Sequence, residues 1–136
     1  MKKLSVAKLK KEADKWHSKA IRYRDGEIEN GVWVAECITC GVKKPITQMQ
    51  CGHFVSRSKN ILRYDELNTN AQCVGCNMFK AGEQYLYSKA LDEKYGAGTA
   101  EELMSKRFET HKLTVEELEQ IIHDSKEQIR WYESQS

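Results

Sequence analysis

Two Cys-x-x-Cys pairs, Cys37-Ile-Thr-Cys40 and Cys73-Val-Gly-Cys76, constrain this chain more than any other feature of its sequence. Four thiolates suit the soft, tetrahedral preference of zinc, and such a site ties together a small, loop-rich core. The 32 residues between the pairs, 41–72, exceed the roughly 15–20 of a simple ribbon, so a further unit must sit between them. A first pair on a knuckle and a second on the first turn of a helix describes a treble clef, with the intervening hairpin brought against that helix. The expected fold is therefore α+β, a zinc-bound treble-clef core with flanking N- and C-terminal helices. Redox cysteines are a weaker reading, because matched pairs beyond a basic helix are a poor redox signature. Cys51 makes the cysteine count odd, which argues against a disulfide framework. It reads as a strand residue packed on the core, with a place near a metal as the alternative.

Around this core the hydrophobic pattern predicts the other elements. Leu9, Ala13, Trp16, Ala20 and Tyr23 recur at steps of four and three, which lines one face of a helix over 4–24. Asp25-Gly26 ends it, Asn30-Gly31 suits a tight hairpin turn, and Val32-Trp33-Val34 reads as a strand. Residues 46–55 suggest a short hairpin around Pro45 and Gly52, and 56–72 read as a polar loop anchored by Ile61, Leu62, Tyr64 and Leu67. From Cys73 the pattern turns helical, Gly82 interrupts it, and a second helix is expected over about 84–94. Thr99-Ala-Glu-Glu and Thr114-Val-Glu-Glu match the capping-box signature, and a last helix over about 115–132 offers Leu118, Ile121, Ile122 and Ile129 for burial. The expected organisation is a basic N-terminal helix and turn (1–30), a zinc-bound core (31–96) and a C-terminal helical extension (97–136), within one compact domain.

Charge is uneven behind a net of +2. Residues 1–24 carry nine basic residues against two acids, residues 43–63 carry five and none, and residues 101–136 carry nine acids against five bases. Basic patches of this kind neutralise phosphates. Arg57, Lys59, Arg63 and Lys80 are thus candidate phosphate contacts, with Arg22 and Arg24 as weaker ones; the alternative is a solvated surface. No apolar run reaches the roughly 18 residues of a membrane span, and the basic start has no apolar signal core, so a cytoplasmic protein is expected.

His53 lies in the insert between the cysteine pairs, in Cys51-Gly-His-Phe54. With four cysteines available for zinc, its imidazole is free for other work, either as a structural histidine or as a general base. Phosphodiester hydrolysis with one metal needs such a base, a hard cation held by one or two oxygen ligands, and a group that fixes the imidazole. Asn68 precedes Cys73 by five residues and Asn77 follows Cys76 directly, which supplies these parts in order. Asn68 could instead make a loop turn, and Asn77 could cap a helix or bond a thiolate.

The order histidine, asparagine, asparagine resembles that of HNH, or ββα-metal, nucleases. The chain resembles the NinG/Rap family of phage recombination nucleases from about Lys8 to Leu103, through "KAIRYRD" at 19–25, "CITCG" at 37–41, "CGHF" at 51–54, "LRYDELN" at 62–68 and "QCVGCN" at 72–77. The resemblance implies a metal-dependent endonuclease that cuts branched DNA such as Holliday junctions and D-loops in the cytoplasm of a phage-infected host. It implies Cys37, Cys40, Cys73 and Cys76 as structural zinc ligands, His53 as general base, Asn77 as a ligand of a catalytic Mg²⁺ or Mn²⁺, and Asn68 as the residue that positions His53. Partners would be DNA, recombination proteins and a second copy of the chain, with the acidic C-terminal helix as either a dimerisation element or an accessory helix. Many HNH proteins place a metal-binding Asp directly before the histidine, where this chain has Gly52. Asp65, Glu66 or Glu83 would then have to supply any carboxylate. Gly52 also motivates the alternative function, a catalytically silent zinc module that binds DNA or a recombination protein.

Overall fold

The structure, a computed structural model, describes residues 4–136. The chain opens with α1, Val6–Arg24, whose first turn is capped by the Ser5 side chain accepting from the Lys8 N–H at 3.2 Å. Its buried face carries Leu9, Ala13, His17, Ala20, Ile21 and Tyr23. The expected stripe is therefore present, with His17 added and Trp16 packed at its margin. Strands β1 (Gly26–Glu29) and β2 (Val32–Glu36) form the hairpin turned by Asn30 and Gly31, both with positive φ. β3 (Lys43–Pro45) completes this antiparallel sheet in the order β1-β2-β3.

The second sheet departs from the sequence reading. Residues 46–55 do not fold back on themselves: β4 (Met49–His53) pairs antiparallel with β5 (Thr69–Cys73), from Met49 opposite Cys73 to His53 opposite Thr69. Gly52 is mid-strand rather than at a turn. The stretch 56–72 is accordingly not all loop: it holds one helical turn, α2 (Asn60–Arg63), and nearly all of β5. β5 escapes pattern reading because every one of its residues is buried although Thr69, Asn70 and Gln72 are polar. Their hydrogen bonds, not apolar alternation, place them inside. Leu62 anchors the stretch as expected, whereas Leu67 is exposed.

After Cys73 the helical pattern becomes a π-helical turn at Gly75–Phe79 rather than a regular helix. Ala81, Gly82 and Glu83 all take left-handed φ and separate it from α3, Gln84–Tyr95. Helices α4 (Thr99–Ser105) and α5 (Val115–Ser134) follow. Thr114 caps α5 through its hydroxyl and the Glu117 N–H, as its signature predicts. Thr99 does not act as a cap; it is the buried first residue of α4, its hydroxyl donating to the Gly96 carbonyl. On α5, Leu118 and Ile129 are buried and Ile121 and Ile122 pack at the margin. Ile129 joins Ala20, Tyr23, Ala35 and Ala71 in the cluster that surrounds the cysteines, so the C-terminal helix shares the core of the sheets. Among the described residues, no helix is long and apolar enough to cross a membrane.

Candidate functional site

The Sγ atoms of Cys37, Cys40, Cys73 and Cys76 lie within 4.8 Å of one another. Four thiolates at about 2.3 Å from a central zinc would stand about 3.8 Å apart, and the Cys40–Cys73 separation is 3.7 Å. The donor set thus fits a metal such as zinc. Cys37 and Cys40 sit on the turn between β2 and β3, Cys73 ends β5, and Cys76 lies in the π-helical turn. Burial opposes ionisation of Cys37, yet the Thr39 hydroxyl and nearby backbone N–H groups bring its thiol down to about 6. Cys51 stands outside the cluster, and burial pushes its thiol up to about 12, which leaves it an inert packing residue.

A cleft of about 750 Å³ runs along β4 and gathers His53, Asn77, Arg57 and Arg63 with four residues of α1, Asp14, His17, Ser18 and Arg22. Consecutive residues of β4 from Met49 to His53 reach it, apart from Gly52. Among the described residues β4 pairs with β5 alone, in a two-stranded ribbon. The His53 Nε2 lies 2.9 Å from the Arg63 carbonyl oxygen. A carbonyl only accepts, so Nε2 carries the proton. Burial holds the imidazole below its ordinary 6.5, against the raising effect of that carbonyl, so at neutral pH the ring is uncharged. Nδ1 is then an unprotonated lone pair, and it takes no hydrogen bond from the described residues.

The anchor of His53 is itself anchored. Arg63 grips Asp14 with its guanidinium fork, Nε to Oδ1 at 2.8 Å, and donates through Nη1 to the Arg57 carbonyl at 3.0 Å. Burial would raise the Asp14 carboxyl, but hydrogen bonds from Arg63 and from the Tyr64 hydroxyl hold it below the usual carboxylate range. Asn68 is fully buried, and its side chain hydrogen-bonds Val55 and Leu62 rather than His53. Its amide accepts from the Val55 N–H at 2.8 Å and donates to the carbonyls of Val55 and Leu62 at 2.9 and 3.0 Å. It thereby clamps the loop that carries Arg63 back onto the end of β4. His17 packs edge-on against Tyr64 and meets the Thr69 hydroxyl at 3.0 Å, directly across the ribbon from His53. Burial lowers His17 to about 4, so it too is neutral.

Asn77 reaches the cleft from the π-helical turn. Its Nδ2 donates to the Gln50 Oε1 at 2.7 Å, which turns its own Oδ1 away, and that oxygen accepts nothing from the described residues. None of Asp65, Glu66 and Glu83 lines the cleft; Asp65 instead caps the entry to β5 through the N–H groups of Leu67 and Asn68. The carboxylate that does line it is Asp14, which no sequence motif marks. Of the basic candidates, Arg57, Lys59 and Lys80 are exposed, whereas Arg63 is committed to Asp14. Arg24 is likewise occupied, by Asp25 and the carbonyls of Glu66 and Thr69.

Gly52 has a steric reason. A Cβ built there would lie 2.1 Å from the Gln72 Oε1 and 2.9 Å from the Gln72 Cβ. Gln72 is fully buried and ties the knuckle to the turn before α3, donating to the Gly82 carbonyl at 2.8 Å and the Thr39 hydroxyl at 3.2 Å. The space a carboxylate would need is filled by this amide. From the other side the Tyr87 hydroxyl donates to the Gly52 carbonyl at 2.6 Å.

The family model described as bacteriophage lambda NinG protein matches residues 1–134. The match includes the last thirty or so residues, which the sequence resemblance had left out, in keeping with the place of α5 in the core. The chain is similar to the ninG protein of Salmonella phage P22, 31% identical over 111 residues that cover 81% of the chain and 50% of the relative. It is similar to that of Escherichia phage 933W, 33% identical over 102 residues covering 74% and 46%, and to that of Escherichia phage lambda, 29% identical over 111 residues covering 81% and 50%. The chain thus spans about half the length of these relatives. No solved structure matches it.

Proposed function

The chain belongs to the NinG family, and from that premise we propose that it is a metal-dependent endonuclease of HNH, treble-clef type that hydrolyses phosphodiester bonds in branched or recombining DNA. The observation that carries this reading is the state of His53: neutral, fixed in one tautomer by a carbonyl, with Nδ1 free of hydrogen bonds from the described residues in a cleft that the exposed Arg57 also lines. In that state Nδ1 takes a proton from water, the oxygen attacks phosphorus, and the bond to the leaving oxygen breaks. Asn77 Oδ1 would hold a Mg²⁺ or Mn²⁺, ions that keep several waters and need few protein oxygens. When bound, such an ion neutralises the scissile phosphate and the leaving oxygen. Asn68 and the Asp14–Arg63 pair are positioning residues, since each acts on His53 through the Arg63 carbonyl. Arg57, Lys59 and Lys80 are the phosphate contacts of this reading.

The test is cleavage of synthetic four-way junctions with Mg²⁺ or Mn²⁺. Wild type should cut, and His53→Ala should cut about 10²–10⁴-fold more slowly while binding the junction as before. A wild type that binds but does not cut, or a His53→Ala variant that cuts as well, favours the silent zinc module instead. Gly52, closed off by Gln72, is the observation on that side, because it keeps one metal-binding carboxylate out of the cleft.

A further inference from the structure

We infer that the segment Met78–Leu86, at the mouth of the cleft, is a stacking platform for unpaired DNA bases. The inference rests on the nuclease reading for its location, but not for its chemistry. Phe79 is 83% exposed, Tyr85 70% and Met78 62%, on one short stretch of chain. Exposed aromatics on a folded domain lose hydration free energy unless a partner covers them. Met78, Ala81, Gly82 and Gln84 also line the cleft, so the stretch is continuous with the place where phosphates would lie.

Three features select bases as the partner. Lys80 is exposed beside Phe79, and the Lys89 ammonium stands 4.8 Å over the Tyr85 ring, so cations and aromatic faces interleave as single-strand binding requires. Phe108 and Trp131 are also exposed, and Phe108 carries the Arg107 guanidinium 4.2 Å over its ring, but neither stands on a stretch that lines the cleft. The backbone is held in place as well: Ala81 and Glu83 take φ of 50° and 51°, a conformation costly for side-chain-bearing residues and common at ligand-facing sites. The Gly82 N–H bonds to the Cys76 carbonyl at 2.8 Å, which ties the platform to the cysteine cluster. A branch point, a nick or a displaced strand offers unstacked bases; a continuous duplex does not. Such a platform would make the cleft prefer branched over linear DNA without reading sequence.

The experiment compares binding of a dT oligonucleotide, a four-way junction and a blunt duplex, with no divalent metal added beyond that held by the cysteines. The Phe79→Ser/Tyr85→Ser double variant should lose at least about tenfold in affinity for dT and the junction, as the loss of base stacking requires, and less than about twofold for the duplex. Phe79→Trp should keep wild-type affinity and add fluorescence that dT quenches. Both positions are exposed, and unchanged thermal melting and zinc content would show that the variants fold. An equal loss on all three DNAs, no loss, or no quenching of Trp at position 79 overturns the inference. So does a self-association or an affinity for anionic vesicles that the double variant abolishes while its DNA binding is unchanged. Because nothing is cut in this experiment, a wild type that favours unpaired DNA yet never cleaves retains the platform and removes the nuclease reading. A wild type that cleaves while the double variant binds normally does the reverse.

Discussion

Cys73 of the cysteine cluster and His53 of the cleft stand at opposite ends of one ribbon, about 14 Å apart at roughly 3.4 Å per residue, yet their two sites are built in opposite ways. Cys73 closes the ribbon at one end, opposite Met49, and His53 closes it at the other, opposite Thr69. The cluster takes its four donors from two short motifs, each complete within four residues. The cleft takes its parts from α1, β4, α2 and the π-helical turn, joined by hydrogen bonds between residues some fifty positions apart, such as Asp14 with Arg63 and His17 with Thr69. A bound metal would make the first region strong with few residues. The second is held by the agreement of many weak contacts, which suits the proposed role of His53 as a base that stays neutral and aimed.

This contrast can be broken most severely from the cysteine side. Stripping the metal with a strong chelator, or replacing Cys73 by Ser, should cost on the order of 10 kcal/mol, as in small zinc domains, and unfold both ends of the ribbon. Circular dichroism and metal analysis check this; about one tightly held zinc per chain is expected, and a melt indifferent to the metal would separate the two regions. From the cleft side the largest effect is acid lability. His17 is neutral in the fold down to about pH 4 and titrates near 6.5 when unfolded. Stability is therefore full above 6.5 and falls by about 3 kcal/mol as pH drops towards 4. Urea melts at pH 7 and 4.5 should show that loss in wild type and a smaller one in His17→Gln.

Gly52→Asp sharpens the comparison further. The added side chain meets Gln72, so we expect a loss of about 1–3 kcal/mol and no gain in cleavage, with partial rescue of stability by Gln72→Ala. The smallest effect is expected for Asp14→Asn. Arg63 keeps its place in the chain but loses the carboxylate that grips it, so His53 is aimed less well. Cleavage should fall about tenfold, the acid limb of its pH profile should move, and junction affinity should stay unchanged. A parallel fall in affinity and rate would point to a general loosening instead.

The same contrast explains what could be read from the sequence. The cysteine pairs, the stripe of α1, the Asn30-Gly31 hairpin and the Thr114 cap are local, and each appears where its motif predicts. His53 and Asn77 share the cleft, as their place beside the pairs suggested. β5 was hidden because its buried polar residues leave no alternation. Asp14 and His17 were hidden because a helix shows its period, not which polar residue on its face will meet a distant loop. The only signal at hand was a histidine inside the apolar stripe of α1, one residue after Trp16. Gly52, which looked like a missing ligand, follows from a partner on the neighbouring strand that no local motif names.

The account turns on His53 as a base held neutral by burial and fixed in one tautomer by the Arg63 carbonyl. Single-turnover cleavage of a four-way junction, followed against pH with saturating Mg²⁺, tests this most directly. The active form is the unprotonated ring, so the rate should rise with pH through a midpoint below 6.5 and then level off. A midpoint at or above 6.5, or an identical profile in His53→Ala, would contradict it.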